Sequence, residues 1–206
     1  MFGHFPADFQ TVMRSARALL RFLLLGTITC GLAGNSLPAT GQSSASYRIE
    51  AEDLHNFAEF VEWPRSTNAG NGGANASINF CVLGRDPFGI SLDASLLGHP
   101  IGDRQPAVVR GKRLEDFGKC DVLFVSSSET KRQLKILDRL GYSAVLTVGE
   151  TSDFASSGGI IQFVQEGDRV SFLINVDAAG RAGLKIRAAL LALARVVHDG
   201  PGKRGG

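Results

Sequence analysis

Ile78-Asn79-Phe80-Cys81-Val82-Leu83-Gly84-Arg85-Asp86-Pro87, followed after some thirty residues by Cys120-Asp121-Val122-Leu123-Phe124-Val125-Ser126-Ser127-Ser128, decides the fold. Each stretch is a short apolar run that ends abruptly in turn or capping residues. Runs of this kind read as buried strands. Asp86 with Pro87 next is a helix start: a side-chain acceptor at the cap and a proline at the first helical position. That helix should end near Gly98. Ala107 to Arg110 reads as a further strand, and Leu114 to Phe117 as a turn of helix. Ser127 or Ser128 should cap a helix through Leu140, with Leu134, Leu137 and Leu140 inward and Gly141 as its stop. Ala144 to Val148 is the next core strand. Strand and helix alternating in this way predict a parallel sheet with crossover helices.

Outward from there the pattern changes. Ile160 to Gln165 and Val170 to Val176 read as strands joined by Glu166-Gly167-Asp168-Arg169, a hairpin turn. Leu184 to Ile186 suggests a small extra strand. Arg187 to Val197 reads as a last helix with Leu190, Leu191 and Ala194 inward. On the amino side, Ile49, Leu54, Phe57, Ala58 and Val61 predict a helix from Tyr47 to Glu62, ended by Pro64. The expected fold is one α/β domain over 47–198. It has a mixed sheet, a parallel βαβ part, a C-terminal antiparallel hairpin and flanking helices.

Residues 1–33 are unlike the rest. Arg14, Arg17 and Arg21 precede an apolar core around Phe22 to Leu25, and small residues follow at Gly31-Leu32-Ala33, or later at Leu37-Pro38-Ala39. These are the parts of a secretory signal, which implies an exported mature chain. The competing reading is an uncleaved N-terminal membrane anchor. Gly26, Thr27 and Thr29 interrupt the run, which barely approaches the roughly 20 residues a span needs. Residues 34–46 read as a disordered lead-in, 66–76 as a surface loop and 199–206 as a flexible tail.

The 206-residue chain has 22 basic and 20 acidic residues; removing the leader, with three Arg and Asp8, leaves 19 of each. A near-neutral domain without clustered Lys and Arg argues against nucleic-acid binding. Removal of Cys30 leaves Cys81 and Cys120, an even count behind an export signal. That favours a bridge over catalysis, with two buried thiols as the alternative. His4, His55, His99 and His198 lack the close spacing of metal ligands, so no metal or cofactor is expected. Ser126 to Ser128 lack the flanking glycines of a nucleophile elbow and are better explained as a helix cap. Gly158-Gly159 leads into a strand, not a helix, so it makes no phosphate cradle. No catalytic set can be assembled, and the chain is not expected to be an enzyme.

Several strings taken in order resemble the YfiR-like family of periplasmic proteins. They are Phe60-Val61-Glu62-Trp63-Pro64, Cys81 to Gly89, Cys120 to Val125, Val145 to Val148, and Phe154-Ala155 with Gly158 to Ile161. Phe172 to Asn175, Ala182-Gly183-Leu184 and Leu190 to Ala194 complete the series. The resemblance implies a repressor of an inner-membrane diguanylate cyclase, in cyclic-di-GMP signalling, held off by an outer-membrane lipoprotein. It also implies a homodimer and matches Cys81 and Cys120 to a family cysteine pair. Phe154 and Gln162 stand where a second pair would fall, so one bridge is implied. By the same resemblance a partner surface would include Ile161, Leu173 and Ala179, and a small-ligand pocket would lie near Lys185 and Arg187. The competing function is a periplasmic small-ligand-binding module that feeds another sensor, with Arg85 to Phe88 near its site.

Overall fold

A computed structural model of the protein describes residues 44–64, 77–167 and 169–199. The leader, most of the lead-in, the 66–76 loop and the tail beyond Asp199 lie outside the described residues. The elements are α1 (Ser44–Glu59), β1 (Val61–Glu62), β2 (Ser77–Leu83), α2 (Ile90–Leu96), β3 (Gln105–Gly111), β4 (Val122–Val125) and α3 (Gln133–Leu140). They continue with β5 (Leu146–Gly149), β6 (Ile161–Glu166), β7 (Arg169–Asn175), α4 (Val176–Arg181), β8 (Lys185–Ile186), α5 (Ala188–Leu191) and β9 (Arg195–Val197). Two 3-10 segments, Leu114–Asp116 and Ser127–Arg132, precede β4 and α3.

The main sheet has the order β3-β2-β4-β5-β6-β7-β9. Pairing is parallel from β3 through β6, antiparallel between β6 and β7, and parallel again between β7 and β9. This is the expected mixed α/β sheet. The chain leaves β2 outward to β3, then returns across β2 to β4, so the strand order reverses between β2 and β4.

The pleat sorts the core into two layers. Ile78, Phe80, Val82, Val122, Phe124, Leu146 and Val148 face α1 and α2, where Leu54, Phe57, Leu92 and Leu96 cover them. Cys81, Leu83, Leu123 and Val125 point the other way, onto Ile136 and Leu137 of α3 and onto Phe154. Alternation of buried residues on both faces is why these strands read as continuous apolar runs. Phe57 adds a tilted contact to Phe163 and an edge contact to Phe172, with ring centroids 5.5 and 4.8 Å apart. Such aromatic pairs contribute about 0.5–1.5 kcal/mol each beyond their burial.

Four local expectations are corrected. First, α1 starts at Ser44, inside the expected lead-in, and stops at Glu59. Val61–Glu62 instead pairs antiparallel with Lys185–Ile186, and that distant partner satisfies the backbone in place of another helical turn. Ile49 is 42% exposed, outside the buried stripe. Second, α2 begins at Ile90, because Gly89 takes φ +53; Asp86 Oδ1 accepts from the N–H groups of Phe88 and Gly89 in a turn before the helix. Third, Ile136 and Leu137 carry the inward face of α3, while Leu134 is 55% exposed. The 3-10 start rotates the helix relative to a uniform α register. Fourth, the last helix is only α5. Arg195–Val197 forms β9 on the free edge of β7, where β-branched residues suit a strand.

Candidate functional site

At the carboxyl ends of β2 and β4, where doubly wound folds commonly hold ligands, the protein fills its own crevice. Gly84 has φ +98, and a Cβ there would lie 2.4 Å from Ser128 Oγ and 2.8 Å from Glu129. Arg85 N donates to Ser128 Oγ at 2.9 Å, and Ser126 Oγ accepts from Ser128 N at 3.3 Å. The cap is therefore Ser126 rather than Ser127 or Ser128, and it opens the 3-10 segment Ser127–Arg132 instead of α3 itself. Asp86 accepts from Arg110 Nε at 2.6 Å, and Arg110 Nη2 reaches Asp93 at 2.5 Å. That hydrogen bond holds the Asp93 carboxyl below its ordinary range. Arg85 to Phe88 is thus occupied by internal contacts.

Beside this crevice lies an acidic cluster that crosses from α1 to β5. Glu150, just past β5, accepts from Tyr47 OH at 3.0 Å and from Ser127 N at 2.7 Å. Glu50, one turn along α1 from Tyr47, is 0% exposed. Burial, then the charges of Glu150 and Asp53, push its carboxyl up to about 8. Burial and the Glu150 charge also raise the Tyr47 phenol. The group can hold a proton at neutral pH. Sequence reading missed it because its members are far apart in the chain and none belongs to a motif.

Cys81 and Cys120 are joined by a disulfide, with Cα atoms 6.1 Å apart. Cys81 lies mid-β2, and Cys120 lies two residues before β4, its neighbour. The bridge packs in the α3-side core.

The opposite end of the sheet is open. A cleft of ≈ 490 Å³ lies beside the amino ends of β2 and β3, lined by Phe60, Trp63, Ile78, Ile101, Arg104 and Arg187, among others. The Trp63 indole N–H is buried and has no hydrogen-bond partner among the described residues. Arg104 is held by Asp121 at 2.8 Å, and Arg187 by Glu62 at 3.6 Å in an exposed pair. Two residues singled out from the sequence line this cleft: Trp63 of the Trp63-Pro64 string, and Arg187, which the family resemblance named with Lys185. Lys185 is exposed on β8, in register with Glu62.

Two of the three expected partner-surface residues are buried. Ile161 is 0% and Ala179 2% exposed; both belong to the α1-side core, since β6 and α4 turn them inward. Leu173 is half-buried on β7, in register with Gln162 and Arg195. Among the described residues, no group of three His, Cys, Asp or Glu side chains gathers as a metal-ligand set, and no helix is long and apolar enough to cross a membrane.

These features define a doubly wound α/β domain with a covalent staple and an open cleft at the amino end of its sheet. The chain belongs to the YfiR/HmsC-like family, whose model matches residues 47–195. That is a regulatory, non-catalytic family of the periplasm, associated with cyclic-di-GMP signalling. A solved structure described as the ABC domain in complex with L-Trp from Streptococcus pneumonia is similar at a TM-score of 0.48 and 10% identity, covering 71% of this chain. This chain spans 60% of that one, and so slight a likeness bears on nothing further.

Proposed function

We propose that the protein is an exported, non-enzymatic regulator that binds an inner-membrane diguanylate cyclase from the periplasmic side and represses it. Membership of the YfiR/HmsC-like family across nearly the whole described domain carries this reading. An outer-membrane lipoprotein would relieve the repression, and the working unit would be a homodimer. With Ile161 and Ala179 buried, the half-buried Leu173 is what remains of the expected partner surface, while Lys185 and Arg187, expected at a ligand pocket, are exposed. Deleting the gene should raise cellular cyclic-di-GMP and biofilm, and a pull-down from membranes should recover the cyclase. Unchanged cyclic-di-GMP together with no cyclase in the pull-down would refute the proposal.

One observation favours the second reading, a small-ligand module. The cleft beside Arg187 is lined by Trp63, whose buried indole N–H has no acceptor among the described residues; a ligand that shifted the ring enough to reach that donor would satisfy it. Trp63 is the only tryptophan, so its fluorescence reports occupancy directly. A ligand found by thermal shift should quench or shift that emission in wild type, with weakened affinity in Arg187→Ala. A stabilising ligand that leaves the emission unchanged binds elsewhere.

A further inference from the structure

The carboxyl end of the sheet has a second opening, on the α3 side of the filled crevice. It is a cleft of ≈ 250 Å³. Its floor is aliphatic: Leu83 closes β2, Ile136 lies on α3, and Leu114 lies in the 3-10 turn after β3. Its rim is cationic, with Arg113, Arg132, Lys135 and Arg139 against a single lining carboxylate, Glu115.

The rim's ion pairs leave a positive remainder. Arg113 pairs with Asp116 at 3.1 Å and Arg139 with Glu115 at 2.5 Å. Arg132 pairs with Glu129 and also donates to Lys112 O at 2.8 Å. Lys135 has no carboxylate within ion-pair distance among the described residues. Four cations against three carboxylates leave one uncompensated charge, above an apolar floor. The Arg113 and Arg139 pairs are largely exposed, and pairs of that kind exchange at little cost. An incoming carboxylate can therefore join Lys135 and share Arg139 with Glu115 without breaking a buried bond.

We propose that this cleft binds a small organic monocarboxylate with an apolar body. The carboxylate sits between Lys135 and Arg139, and the apolar body covers Leu83, Leu114 and Ile136. Size limits the body, since the cleft lies just under the roughly 300–1,000 Å³ of drug-sized pockets. A bare inorganic anion would leave the aliphatic floor wet and forgo its burial. The position agrees with the tendency of doubly wound sheets to bind ligands outside the carboxyl ends of their strands. The proposal is independent of any cyclase partner and of the cleft beside Arg187.

The test is an amide NMR titration of the exported protein with 4-phenylbutyrate. Inorganic phosphate and 4-phenylbutylamine serve as controls for anion without body and body without anion. Saturable shifts at Leu114, Lys135, Ile136 and Arg139 are expected with phenylbutyrate alone. Lys135→Glu, an exposed change that should leave the fold intact, should weaken binding about tenfold or more, the scale of one charge-assisted contact. Arg187→Ala should bind as wild type does. No shifts at millimolar phenylbutyrate would overturn the proposal. Equal shifts with phosphate, or with the amine, would overturn the ligand class, and unchanged affinity in Lys135→Glu would overturn the site.

Discussion

Tyr47 donates a hydrogen bond to Glu150 at 3.0 Å across 103 positions of the chain. It ties the first helix to the end of a central strand, and Glu150 in turn receives the Ser127 N–H that opens the 3-10 segment. Tyr47→Phe removes one donor to a carboxylate and keeps the ring contact with Phe88, whose centroid is 6.0 Å away. The expected loss is about 1–2 kcal/mol, less than a fully buried charged bond would give. Urea unfolding at neutral pH measures it; an unchanged midpoint would show that the bond adds no net stability.

Glu50 makes stability pH-dependent in a stated direction. Its folded-state pKa of about 8 lies above the ordinary 4.5, because burial and then Glu150 and Asp53 oppose its ionisation. Between those values the folded state holds a proton that the unfolded state releases, so unfolding gains ground as pH rises. The contribution is fully retained below about 4.5 and lost progressively as pH rises through about 8. Glu50→Gln should flatten that slope and leave the variant more stable than wild type on the alkaline side. Parallel slopes in the two proteins would place the titrating group elsewhere.

The disulfide closes a loop with a sequence separation of 39. Loop entropy alone gives about 4 kcal/mol for a ring of this size. The Cys81→Ser/Cys120→Ser double variant should lose a large part of that in denaturant unfolding. Native exported protein should show no free thiol before reduction; two reactive thiols per chain would contradict the bridge.

Phe154 is clamped between two glycines. A Cβ on Gly159 would lie 2.2 Å from its ring, and one on Gly149 would lie 2.4 Å away. Gly159→Ala should therefore cost about 1–3 kcal/mol by overpacking. Combining it with Phe154→Leu should cost less than the two single changes added together. Additive losses would show that the strain lies in the backbone rather than in the ring contact.

What the sequence made legible follows a physical division. The parallel strands could be read because Phe80 to Leu83 and Val122 to Val125 are buried on both faces and bounded by capping residues. The hairpin could be read because Gly167 sits between two apolar runs. Val61–Glu62 and Arg195–Val197 could not, because each is a strand only through a partner remote in the chain. Helical spacing continues through both, and tertiary pairing overrides it. The candidate sites divide in the same way. The cysteines announced themselves by type and count. Glu50 with Glu150, and Lys135 over Leu114, meet only after folding.

The bridge from Cys81 to Cys120 encloses α2 and all of β3 in a covalent ring. β3 is also an outer strand of the main sheet, the kind that invites exchange between molecules. The bridge ties β2 to the entry of β4, so oxidation keeps those two strands together whatever β3 does. Any exchange of β3 between molecules must therefore carry the closed loop as one unit, hinged at that bridge.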